Sequence, residues 1–232
     1  MHRTILLSVA MTLALPLAAC KQPTGTVVQV PKAAASYEDA SGYLPMTRMG
    51  EMRDLTVSGT YFHKDTGMAF PEYAGEFKRV QVSAFDANEQ HIAVNYQAKS
   101  IPRSIVLTAY VFPVWDMSNA RLHMANVSQV CGDGYEDAKS KAMLRNKNSR
   151  EISEDSDPSP RFPDAMLAKS MSYDADGDMI SGKDIALRSE VHFYCGIRQV
   201  WVVEYRISYV HVVDGASVGR RFMTQLPANA TP

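Results

Sequence analysis

The chain has 232 residues and sets 24 Lys and Arg against 25 Asp and Glu, a formal net charge of −1. The two signs are interspersed, so no basic stripe offers itself to nucleic acid. Hydrophobic residues make up 46%, which suits one ordinary globular domain with its own core.

In chain order, a basic start (His2, Arg3) leads into an apolar run from Ile5 to Leu17. That run is shorter than the about 20 residues a spanning helix needs and fits the core of a secretory signal. Leu17-Ala18-Ala19-Cys20 resembles the bacterial lipobox, whose cysteine takes a diacylglycerol before cleavage. The new N-terminus then takes a further chain such as palmitate. The resemblance implies a lipoprotein signal peptide over 1–19 and attachment to the lipid bilayer through acylated Cys20. Several chains, at about 0.8 kcal/mol per buried CH₂, hold where one holds only marginally. In the sorting rule that goes with the lipobox, aspartate after the cysteine retains the protein in the inner membrane. Lys21 stands there instead, so the expected place is the outer membrane, facing the periplasm. The bland alternative is an ordinary cleaved signal with a chance cysteine.

Residues 20–53 read as the lipidated cysteine and a flexible linker, punctuated by Pro23, Gly25, Pro31, Gly42 and Pro45 with no lasting period. Residues 54–226 read as one periplasmic α+β domain, a mainly antiparallel β-sheet with one or two packed helices; 227–232 are a tail. Strands are expected at Leu55–Phe62, Met68–Phe70, Lys78–Phe85, Ile92–Gln97 and Ile105–Pro113, which are β-branched or aromatic runs between polar turns. Val80, Val82 and Ala84 alternate with Arg79, Gln81 and Ser83, the pattern of a strand with one wet face. Ile105–Pro113 is apolar on both faces and belongs mid-sheet. A helix between Ser118 and Asn148 is expected to cover it, with Gly132 and Gly134 splitting or kinking that helix. The stretch 149–163, with four acids, three prolines and little that is apolar, reads as a mobile acidic loop.

Ala165–Tyr173, Ile185–Cys195 and Arg198–Val213 read as a second strand block. Cys195-Gly196-Ile197-Arg198 reads as a two-residue hairpin that sets His192 opposite Trp201 and Phe193 opposite Val200. One face then carries Val191, Phe193, Cys195, Val200 and Val202. The other carries His192, Tyr194, Trp201, Tyr205 and Tyr209, which either lines a groove or is simply core with wet hydroxyl tips. His192 reads more readily as a hydrogen-bonded sheet histidine than as a ligand. Glu204 and Arg206 share a face and are expected to pair.

With Cys20 committed to lipid, Cys131 and Cys195 remain in an oxidising compartment, where a disulfide between them is expected; two separately buried thiols are the alternative. The run from Asp174 through Asp176 and Asp178 to Asp184 resembles an EF-hand or dockerin-type loop, whose alternating carboxylates suit calcium. Met179 replaces the glycine such a loop needs, and the flanks read as strands. The competing reading is a β-hairpin tip in which Asp and Gly supply turn conformations. No catalytic residue and no cofactor beyond this conditional calcium is expected.

Gly67-Met68-Ala69-Phe70-Pro71, followed by Gly75-Glu76-Phe77-Lys78-Arg79-Val80, resembles the opening of small secreted proteins of PsbP/Mog1-like build. Trp201-Val202-Val203-Glu204-Tyr205-Arg206 is similar to their late central strand. The resemblance implies an antiparallel sheet flanked by helices and a role in binding or assembly. The expected function is therefore a non-enzymatic binding or envelope-assembly module with an envelope protein or the cell wall as partner. A calcium-stabilised module is the first alternative, and an envelope enzyme without a recognisable motif the second.

Overall fold

The computed structural model describes residues 52–98, 105–114, 127–145, 147–162, 164–177, 185–198 and 200–226. The signal segment, Cys20, nearly all of the 20–53 linker, Asp178, Asp184 and the 227–232 tail lie outside them. Eleven strands and two helices follow in the described residues: β1 Arg53–Asp54, β2 Tyr61–Phe62, β3 Ala69–Phe70, β4 Tyr73–Ala74, β5 Phe77–Ala84, β6 Ile92–Ala98, β7 Ile105–Pro113, α1 Val127–Arg145, β8 Lys147–Asp155, β9 Leu167–Gly177, β10 Ile185–Ile197, β11 Trp201–Val210 and α2 Gly215–Gln225.

The main sheet runs β1-β5-β6-β7-β11-β10-β9-β8, with β4 also on β5, and every pairing is antiparallel. Two meanders, β5-β6-β7 and β8-β9-β10-β11, meet where β7 pairs with β11. This is the α+β architecture read from the sequence, mainly antiparallel and in one domain. β7 begins and ends where its doubly apolar pattern does, with Leu107, Ala109, Val111 and Phe112 buried. It lies mid-sheet because only a strand covered on both faces can bury both of its alternating sets.

The alternation sorts the core into two layers. On one face, Tyr110, Phe112, Phe193, Cys195 and Val202 pack beneath α1 through Val130, Cys131, Tyr135 and Ala138. On the other, Val94, Tyr96, Leu107, Tyr194, Trp201 and Tyr205 pack with Phe222 and Met223 of α2. In α1 the buried positions fall at 127, 130, 131, 134, 135, 138 and 142, three or four apart, which is one side of a helix. Gly132 and Gly134 neither split nor end it, because burial of that side outweighs about 1 kcal/mol of propensity per glycine. Cys131 of α1 and Cys195 of β10 lie at disulfide distance, 5.6 Å between Cα atoms and 64 residues apart in the chain.

Several expectations need correction. The mobile loop over 149–163 is not one: β8 occupies Lys147–Asp155 and pairs with β9 through two register shifts. Its low apolar content marks an edge strand, nearly all exposed, which needs no buried face and whose charges and bulges discourage further pairing. Leu55–Phe62 is not one strand: within it only Tyr61–Phe62 joins a ladder, with β3, while β1 pairs with β5 just before it. Between β1 and β2 the Arg79 guanidinium donates to the carbonyls of Gly59 (2.7 Å) and Val57, satisfying backbone that a ladder would otherwise serve, and it also donates to Phe70 of β3. That arginine is buried and Val80 is half-exposed, the reverse of the expected alternation, because a bulge between Arg79 and Gln81 inserts one residue.

The β10–β11 register also differs. His192 faces Tyr205 and Cys195 faces Val202, with an irregularity at Gly196. The displacement is four residues, an even number, so each side chain keeps its predicted face. Finally, Gly215–Gln225 is a helix where the sequence reading ended on a strand. Asp214 caps it, its carboxylate accepting from the Ser217 amide at 3.3 Å, and its glycines at 215 and 219 are buried against the sheet.

Candidate functional site

A cleft of about 270 Å³ opens on the α2 face of the sheet, floored by β8, β9 and β10. Strand alternation builds it. Glu190 and His192 project from β10 to this face, and antiparallel register sets Ser172 opposite Glu190 and Ser170 opposite His192. β8 continues the row with Ser153 opposite Ser172 and Asp155 opposite Ser170; the Ser153 and Ser172 hydroxyls lie 2.8 Å apart. One wall is Arg220 of α2 and the other is the turn at Pro158 and Ser159. Tyr194 anchors that turn, its hydroxyl donating to the Pro160 carbonyl at 2.8 Å while Phe162 packs on its ring at 4.6 Å.

Two side chains of the floor form a buried pair. His192 Nε2 lies 2.9 Å from Glu190 Oε2, and the Tyr209 hydroxyl donates to Oε1 at 2.9 Å. Burial alone would raise the Glu190 carboxyl. The His192 contact, the Tyr209 hydrogen bond and the field of Arg220 outweigh it, holding the group below the usual range for a glutamate. Glu190 is therefore ionised near neutral pH and only accepts, so the shared proton sits on His192 Nε2. Burial, and then the Glu190 charge, push the Tyr209 phenol up, which keeps it a donor. His192 Nδ1 is left buried with no partner among the described residues, on a side chain only 5% exposed. The Nε2 contact to Glu190 thus fixes the ring in the floor of the cleft.

The expected histidine role holds: His192 is hydrogen-bonded within the sheet. The aromatic, partly polar face is mostly core, since Tyr194, Trp201 and Tyr205 are buried in it, and it becomes a groove only at its polar end. Glu204 and Arg206 pair as expected, on the α1 face, where the guanidinium also lies over the Tyr110 ring at 5.1 Å.

The four aspartates of the conditional calcium loop are not brought together by the described residues. Asp174 and Asp176 lie within β9, paired with β10, and Asp178 and Asp184 lie outside what is described. Asp174 already meets Arg188 Nε at 3.0 Å, His211 Nε2 at 3.1 Å and Arg150 at 3.5 Å, and the Arg188 hydrogen bond leads in holding its carboxyl below the usual range. Asp176 accepts from Asn148 at 2.7 Å. Carboxylates so occupied by nitrogen donors are poor candidates for a cation that takes 6–8 oxygens. Sequence reasoning missed Glu190, Ser170, Ser172 and Arg220. The first was within reach, since Glu190 and His192 are two apart on one strand and must share a face.

No protein-family model matches the chain, and neither the curated proteins nor the solved structures yield a significant match to it.

Proposed function

We propose that this is a lipoprotein of the bacterial envelope, anchored through acylated Cys20 in the outer membrane and facing the periplasm. Its domain acts as a non-enzymatic binding module that holds a ligand from the envelope, protein or cell wall, in the cleft above Glu190 and His192. The observation that carries the binding role is the buried Glu190–His192 pair set in the floor of a cleft beside Ser153, Ser170, Ser172 and Arg220. Concave sites with a few convergent polar groups are where ligands bind. The address rests on the signal and lipobox pattern, and a cysteine pair at disulfide distance is in keeping with an oxidising compartment. An antiparallel sheet flanked by helices likewise supports the PsbP/Mog1-like reading at the level of fold, which by itself carries no chemistry.

Two measurements test this in intact cells. Cys20→Ala is expected to move the protein from the membrane to the soluble periplasmic fraction; continued membrane association contradicts the anchor. A photocrosslinking residue at Ser159, on the cleft wall, is expected to capture a ligand, whereas one at Lys78, exposed on β5, captures none. Equal or absent capture at both positions contradicts the binding role.

A further inference from the structure

We infer that the cleft takes a neutral, hydroxyl-rich ligand about the size of one sugar ring, as a free saccharide or the end of a glycan. This rests on the binding reading above and names its ligand class. Charge supplies the first argument. Glu190 and Asp155 face the cleft against Arg220 and the His192 ring, so an anionic ligand meets two carboxylates and a cationic one meets a guanidinium. Neither sign is favoured, and ionic recognition of phosphate or carboxylate would call for a cluster of cations.

Hydrogen-bonding chemistry supplies the second. The Asp155 carboxylate in the cleft lining only accepts. The Arg220 guanidinium, exposed on α2 at the cleft wall, only donates. Between them the hydroxyls of Ser153, Ser170 and Ser172 both donate and accept. A ligand that satisfies all three kinds of group must itself donate and accept at closely spaced positions, which vicinal hydroxyls do and an aliphatic or aromatic surface does not. Size supplies the third. About 270 Å³ lies just under the about 300–1,000 Å³ of drug-sized sites, so one ring is seated and any further length of chain lies outside.

The test is a titration of the full-length protein, purified in detergent and labelled on its histidine rings, followed by NMR. N-acetylglucosamine, its β-1,4-linked trimer and glucose are the neutral probes, and inorganic phosphate and ethanolamine the charged ones. The His192 ring signal, assigned by its loss in His192→Gln, is expected to move with a neutral sugar at millimolar concentration. Arg220→Ala and Ser170→Ala are each expected to weaken that response about tenfold, as loss of one well-formed hydrogen bond does. A trimer that binds more tightly than the monomer identifies a glycan end, and equal binding identifies a free sugar. No movement with any sugar overturns the inference, as does movement with phosphate or ethanolamine alone. In either event capture from Ser159 in cells still upholds the binding role, whereas loss of both overturns the two together.

Discussion

Tyr209 of β11 reaches across to Oε1 of Glu190 on β10 at 2.9 Å, and its ring also closes the space over Gly215 at the start of α2. A Cβ at Gly215 would run into that ring, and one at Gly219 would stand 2.5 Å from Ile207 Cδ1. The two glycines let α2 lie close on β11 and set Arg220 at the cleft. Gly215→Ala is expected to cost about 1–3 kcal/mol, in the range of an overpacked core, because the ring is held at both ends. Gly219→Ala should cost less, since the end of the Ile207 side chain can turn aside. Urea midpoints of the two variants check the order; equal midpoints would show that α2 does not need this close approach.

Gly132 is the opposite case. It lies in the interior of α1 with nothing within 4 Å of the place a Cβ would occupy. Gly132→Ala should therefore stabilise the domain by about 0.5–1 kcal/mol, the difference between the two residues in a helix. Thermal melting is expected to show a rise of a few degrees.

Cys131 and Cys195 tie α1 to the sheet across 64 residues of chain. On the chain-entropy view a bridge over a loop that long contributes about 4 kcal/mol. Reductant should lower the unfolding midpoint of the natural protein by a comparable amount and leave a Cys131→Ala/Cys195→Ala double variant unchanged. A midpoint indifferent to reductant in both would show the thiols to be unbonded.

His91 gives the fold an acid-sensitive position. Its ring packs between Phe85 and Phe112 at 5.1 and 5.0 Å. Burial lowers its pKa from 6.5 to about 4, with Lys141 adding to the effect and Asp86 opposing it. The unfolded chain binds the proton first, so stability is full above about pH 6.5 and falls as pH drops toward 4, by roughly 3 kcal/mol at most. His63, also lowered by burial, acts in the same direction. His91→Phe keeps the ring packing and should flatten this part of the pH–stability curve; an unchanged slope would place the acid sensitivity elsewhere.

The legible parts of the fold are those where burial alone dictates the pattern. Ile105–Pro113 could be read to its ends because no other arrangement buries both faces. The faces of β10 and β11 were readable even though their pairing was not, since an even displacement preserves alternation. The edge strand β8 escaped because it buries almost nothing, and hydrophobic periodicity has no purchase on it. α2 escaped because Gly215 and Gly219 are poor helix formers that packing, not propensity, accommodates. The cleft could not be read as a whole for a related reason. Arg220 reaches it from a helix the pattern hides and Ser153 and Asp155 from a strand it hides, whereas Glu190 and His192, like Ser170 and Ser172, lie on strands the sequence shows plainly.

The central claim, that a ligand is held against the floor and walls of this cleft, is tested most directly by the yield of the Ser159 photocrosslink in cells that carry Arg220→Ala. Arg220 is exposed, so its removal should leave the melting temperature within about a degree, a surface change of under 0.5 kcal/mol. A ligand held there predicts a yield about tenfold lower, as for one lost charge-assisted hydrogen bond. An undiminished yield at equal expression would contradict it.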